Sequence, residues 1–235
     1  MYSNLPQKID RDIAAQLKSL GIGERRTQKH QFPCITISRE FGCEGVPVAQ
    51  GLVEKLSTED YPWILFHRKL IKEISQKDAL QSDLADIISD EKRNKLHQYI
   101  EQMLSHKPIN VQQYKKLGQT IRVLSTRGRS VILGAGAAIL ASEIPHALHI
   151  RLRAPMDFRV KRVSELLDIT DSEAREKIRE NDTERQEFIY EFTRKDLRDP
   201  HHYHLIIDNS NFDASMITEL IYHALVLRNM LPEVK

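Results

Sequence analysis

The sequence is poor in several features that would have fixed its class at once. It has two cysteines in 235 residues, Cys34 and Cys43. They open and close a single strand-and-turn stretch, so an extended chain holds them too far apart to bridge, and a disulfide scaffold is excluded in favour of a reducing compartment. The formal net charge of +2 supplies no bulk field for nucleic acid or an anionic membrane. No apolar run approaches the roughly 18 residues of a membrane span. Residues 1–10 lack the apolar core of an export signal. These absences together predict a cytoplasmic protein whose partners are neither nucleic acid nor membrane. There is no internal repeat and no low-complexity segment. Hydrophobic residues at 40% and charged residues at 29% are ordinary for a globular chain, and the length suits one large α/β domain or one domain with a helical appendage.

What is present concentrates at Ile35-Thr36-Ile37-Ser38-Arg39-Glu40-Phe41-Gly42-Cys43-Glu44-Gly45. It reads as a buried strand entering a glycine-containing turn with a helix behind it. That arrangement builds phosphate cradles, because backbone N–H groups and a helix N-terminus converge on an anion. As a cradle it is faulty. A P-loop carries Lys and then a hydroxyl after its last glycine, whereas here Val46 and Pro47 follow Gly45. Glu44 adds a negative charge that would repel a triphosphate by ~1–4 kcal/mol at effective dielectric constants of ~20–80.

Periodicity predicts strands at 34–38, 63–66, 130–134, 148–152 and 204–208. It predicts helices at 7–20, 46–56, 68–77, 83–105, 110–127, 137–142, 156–167, 171–193 and 213–231. Residues 21–31 read as a polar linker, and Thr170 or Asp171 as an N-cap. Short, near-continuous apolar strands alternating with helices argue a parallel sheet covered on both faces.

Several polar residues carry competing readings. Gly42 and Gly45 form either a phosphate cradle or an ordinary tight turn. Arg39 and Glu40 orient the loop or make a structural ion pair. Arg159 and Arg162 share a helix face. With Arg185, Arg194, Lys195 and Arg198 they either wrap a phosphoryl group or belong to solvated, salt-bridged helices. Cys43, ahead of a helix, is a reactive thiol or a plain small residue. His201, His202 and His204 lack a neighbouring cysteine or carboxylate at ligand spacing, so a surface loop is expected and no metal site is predicted.

Four blocks in order, the Ile35–Gly42 block above, Ser130-Val131-Ile132-Leu133-Gly134-Ala135-Gly136-Ala137, Ala154-Pro155 with Arg159 and Arg162, and Asp182-x-x-Arg185, resemble the cytidylate kinase-like family over about residues 33–228. The resemblance implies a three-layer P-loop-kinase-like α/β fold with a five-stranded parallel sheet. It also implies an acceptor-binding helical insertion at about 68–127 and an arginine-rich lid at about 170–199. Residues 1–31 would stand outside that domain. It implies ATP with Mg²⁺ and a nucleoside monophosphate, CMP-like, as acceptor. By resemblance Arg159, Arg162 and Arg185 would be catalytic. Arg39, Gly42, Cys43 and Gly45 would hold the cofactor, His67, Gly134, Ala135 and Gly136 the acceptor, and the region of Asp208 and Asn209 a base. The chain departs from the family pattern at five positions: Glu44 in place of a glycine and Val46 in place of a basic residue in the loop, His67 after the second strand, Ala135 between the two glycines, and His204 before the last strand. Three readings stay open: a nucleoside monophosphate kinase, a kinase for another small acceptor, and an inactive module that binds a nucleotide or a protein. Nothing in the sequence sets the oligomeric state.

Overall fold

The computed structural model describes residues 32–67 and 111–231. The expected helices at 7–20, 68–77 and 83–105 and the linker at 21–31 lie outside the described residues. The elements run β1 (Cys34–Arg39), α1 (Gly45–Leu56), β2 (Ile64–His67), α2 (Val111–Arg127), β3 (Ser130–Leu133), α3 (Ala137–Leu140), β4 (Ala147–Arg153), α4 (Met156–Leu167), α5 (Asp171–Thr193), a 3₁₀ turn (Pro200–His202), β5 (Leu205–Asp208) and α6 (Ala214–Leu227). The five strands are all parallel, in the order β2-β3-β1-β4-β5.

Strand bounds shift from the expected ones where pairing outruns the apolar run. β4 extends to Arg153 because it pairs with both neighbours, from Cys34 opposite Ala147 to Arg153 opposite Asp208. Trp63 drops out of β2 because its N–H donates to Ser57 Oγ instead. The last helix stops at Leu227, four residues short of the expected end. Asn229 turns left-handed there, and Met230 N–H bonds back to the Leu225 carbonyl, a closure that satisfies a terminal carbonyl.

Strand alternation splits the core in two. Ile35, Ile37, Val131, Leu133, Leu148 and Ile150 pack one face under α1, α4, α6 and the start of α5. Cys34, Phe66, Ile132 and Ala147 pack the other under Tyr114, Leu117 and Ile121 of α2. α5 serves both: Ala174 and Ile178 join the first cluster, while Phe188 and Phe192 pack on the second. Its first turn carries a full capping box, with Thr170 Oγ1 accepting from Glu173 N–H and the Glu173 carboxylate accepting from Thr170 N–H. Thr170→Ala is therefore expected to lower stability by about 1 kcal/mol in a urea melt.

The connection leaving β1 heads toward β2 and that leaving β4 heads toward β5, on opposite sides. In an open parallel sheet the crevice outside the strand ends at such a reversal is where ligands bind. Here that crevice lies between β1 and β4.

Candidate functional site

β1 ends as Glu40 N–H donates to the Leu152 carbonyl at 3.0 Å, and the chain then turns over the β1–β4 crevice. The turn is held from three sides. Phe41 is buried beneath it. Phe41 N–H donates to Asp182 of α5 at 2.8 Å, and the Phe41 carbonyl accepts from Arg159 of α4 at 3.3 Å. At Gly42, φ is +95°, and a Cβ would lie 2.9 Å from that of Arg159. Only glycine lets the turn lie flat on α4 in this left-handed conformation.

The three arginines expected at a phosphoryl group converge on this turn. Arg159, 7% exposed, pairs with Asp182 and donates to the Ala154 carbonyl at 3.0 Å. Arg162, one helical turn on, donates Nε to the Gly42 carbonyl at 3.0 Å and Nη1 to Glu44 at 2.8 Å. Arg185, one turn after Asp182 on α5, donates to the Arg39 carbonyl at 3.3 Å and stands 5.5 Å from the Phe41 ring centroid.

The crevice itself is filled with protein. Glu40 accepts from Ala154 N–H at 3.1 Å and lies between Arg151 and Arg159, at 3.8 and 3.7 Å. Arg151, a buried cation within β4, also donates to the Leu197 carbonyl. Glu44 reaches toward β4 and β5: one carboxylate oxygen takes Arg162, the other takes Asn209 Nδ2 at 3.0 Å. Glu44 N–H donates to Asn209 Oδ1 at 2.6 Å.

A phosphate cradle works by aiming successive loop N–H groups at the anion. In this turn Phe41 N–H is taken by Asp182 and Glu44 N–H by Asn209. Cys43 N–H is taken by the Glu40 carbonyl and Gly45 N–H by the Cys43 carbonyl. Of the two readings of Cys43, the plain small residue fits: burial, and then the Glu40 carboxylate, push its thiol up to about 12. Asn209 does not cap the last helix. Asp213 does, accepting from Met216 N–H.

The residues expected on the acceptor side lie across the turn, toward β3. Gly134, Ala135 and Gly136 are all left-handed. The Arg39 guanidinium occupies the space where Gly134 would carry a Cβ, and its stem packs on Gly45. His67 ends β2, buried, paired in register with Leu133. Tyr114, which the sequence pattern marks only as α2 core, points its phenol toward Gly136, 4.0 Å from where a Cβ would stand. Burial pushes that phenol up to about 12, and among the described residues it has no hydrogen-bond partner. A tyrosine at a helical core position gives no sequence signal of this. Arg151 was missed as well, although a charge in the middle of a strand segment was the signal that could have marked it. The histidines stay at the surface end of β5: His201 pairs with Asp199 at 2.8 Å, and His204 accepts from His149 N–H. Among the described residues no group of three or more His, Cys, Asp or Glu is disposed to hold a metal ion.

The model of the cytidylate kinase-like family matches residues 34–211. The crystal structure of an uncharacterized protein from Eubacterium ventriosum ATCC 27560 shares the fold, with a TM-score of 0.63 at 24% identity over 84% of this chain and 99% of that chain. Shikimate kinase from Acinetobacter baumannii in complex with shikimate is more distantly similar, with a TM-score of 0.45 at 14% identity over 86% of this chain and 97% of that one. No curated protein matches.

Proposed function

Because the chain belongs to the cytidylate kinase-like family, we propose that it is a kinase-derived binding module: it holds a nucleoside monophosphate or related phosphorylated small molecule on the β3 side of the β1 turn and transfers no phosphoryl group. The observation that carries this reading is the commitment of the turn's own N–H groups, at Phe41, Cys43, Glu44 and Gly45, to protein acceptors. ATP and Mg²⁺, which the family resemblance implies, do not fit the residues present. Glu44 carries a carboxylate in the turn, Val46 is buried where a P-loop keeps its lysine, and Pro47 has no hydroxyl for the metal. No phosphoryl-transfer step is derived through them.

On the β3 side, Arg39 is the cation beside the Gly134–Ala135–Gly136 turn, and His67 stands at the neighbouring strand end. These groups, with the Tyr114 phenol, are the ones assigned to the bound monophosphate. The ligand class comes from the family.

A second reading, phosphoryl transfer from ATP to a CMP-like acceptor, is favoured by the convergence of Arg159, Arg162 and Arg185 on one turn. One assay separates the two. CMP and dCMP are titrated calorimetrically, and ADP release is followed with Mg·ATP present. The expected result is a CMP dissociation constant at or below roughly 100 µM, about −5.5 kcal/mol, with ADP release at background. ADP release above background that disappears in Arg162→Ala would establish the transferase instead.

A further inference from the structure

Glu44 does more than replace a glycine of a phosphate loop. Its two carboxylate oxygens are received separately, one by the Arg162 guanidinium at 2.8 Å and the other by the Asn209 amide at 3.0 Å. The receiving groups are themselves fixed. Arg162 is braced by its Nε on the Gly42 carbonyl. Asn209 is 2% exposed, donates its backbone N–H to the Arg153 carbonyl, and shares its amide with the Phe212 carbonyl. A guanidinium and an amide N–H held this way make a ready receptor for an oxyanion, since charge-assisted bonds from a planar fork favour carboxylate and phosphate alike.

We infer that Arg162 and Asn209 form an anion seat which the chain fills with its own carboxylate, so that Glu44 acts as a tethered competitor excluding phosphate groups from the β4–β5 side of the turn. The inference rests on the reading that the module binds without transferring, and it adds the cause: the donor side of the turn is closed by an internal ligand. Tethering makes the competition steep, because a side chain carried by the turn itself acts at an effective concentration in the millimolar range or above. An external anion must displace it as well as bind.

The test is calorimetric titration with inorganic pyrophosphate of the wild-type chain, Glu44→Ala and Glu44→Ala/Arg162→Ala. Wild type is expected to bind with a dissociation constant above several millimolar, Glu44→Ala at least tenfold more tightly, and the double variant to lose the gain. Glu44→Gln, which keeps the side chain's size and removes its charge, stands in if Glu44→Ala fails to fold and is expected to show a smaller gain in the same direction. A folded Glu44→Ala (and Glu44→Gln) that binds pyrophosphate no better than wild type overturns the inference, and so does a gain that survives removal of Arg162. The readout is independent of CMP. Absent CMP binding with a pyrophosphate gain would sink the proposed ligand and leave the seat standing, whereas CMP binding without that gain would do the reverse.

Discussion

Arg159→Ala is expected to lose about 1–3 kcal/mol of folding stability, the range for leaving buried polar groups without their donor. The size follows from what the guanidinium holds. It is 7% exposed and pairs with Asp182, stands 3.7 Å from Glu40, and bonds the carbonyls of Phe41 and Ala154. Alanine would leave two carboxylates and two carbonyls without that donor, at the meeting point of β1, α4 and α5. Lysine should recover only part of the loss, because a single ammonium cannot reproduce the fork that meets Asp182 and the two carbonyls together. Urea melts at constant slope would show the effect. A loss under 1 kcal/mol would mean that the network around Glu40 is held by Arg151 alone.

The second large effect is a dependence on pH. His149 lies in β4, 4% exposed, with Nδ1 2.8 Å from Thr36 Oγ1 and its ring stacked on His204 at 5.0 Å between centroids. Burial, reinforced by the neighbouring His204, holds it down to about 4 from its ordinary 6.5. The folded state therefore refuses a proton that the unfolded chain accepts. Stability from this residue is fully present above about pH 6.5 and is lost as pH falls toward 4, by up to about 3 kcal/mol. His204 is lowered as well, through burial first, and adds to the fall in the same direction. The carboxylates that are held low, among them Glu173, Asp196 and Asp208, contribute their losses only at more acid pH. Urea midpoints at pH 7.0, 6.0 and 5.0 thus isolate the histidines. Their decline should be largely absent in His149→Gln, and an equal slope in that variant would assign the effect elsewhere.

The strands, their parallel sense and the two covered faces were readable because the strands are short, mostly apolar runs, and α5's cap was narrowed to Thr170 or Asp171, of which the structure takes Thr170. The convergence of Arg159 with Arg162 was readable from helical spacing. Their partners were not. Whether an arginine three residues from another faces phosphate or a carboxylate depends on groups over a hundred residues away, such as Glu44 against Asn209, and no local pattern fixes that pairing. Cys43 left two readings for the same reason: its position ahead of a helix allows an activated thiol, and only its burial beside Glu40, which the local sequence does not show, decides for a plain small residue. Tyr114 of α2 lies in the core. What its hydroxyl faces is set by the left-handed Gly134–Gly136 turn, which sequence marks only as two glycines.

α5 is seated in both apolar clusters, and midway along it Asp182 and Arg185 bond the end of β1 and its turn. A segment anchored this way behaves as a beam rather than a flap. Swinging it off the turn would expose Ile178, Ile189, Phe188 and Phe192 together, at roughly 1.5–3 kcal/mol for each fully uncovered side chain. That sum rivals the whole of a micromolar association, about −8 kcal/mol. Adaptation on the β3 side of the turn would then fall to short side-chain movements of the Arg39 kind rather than to a swing of α5.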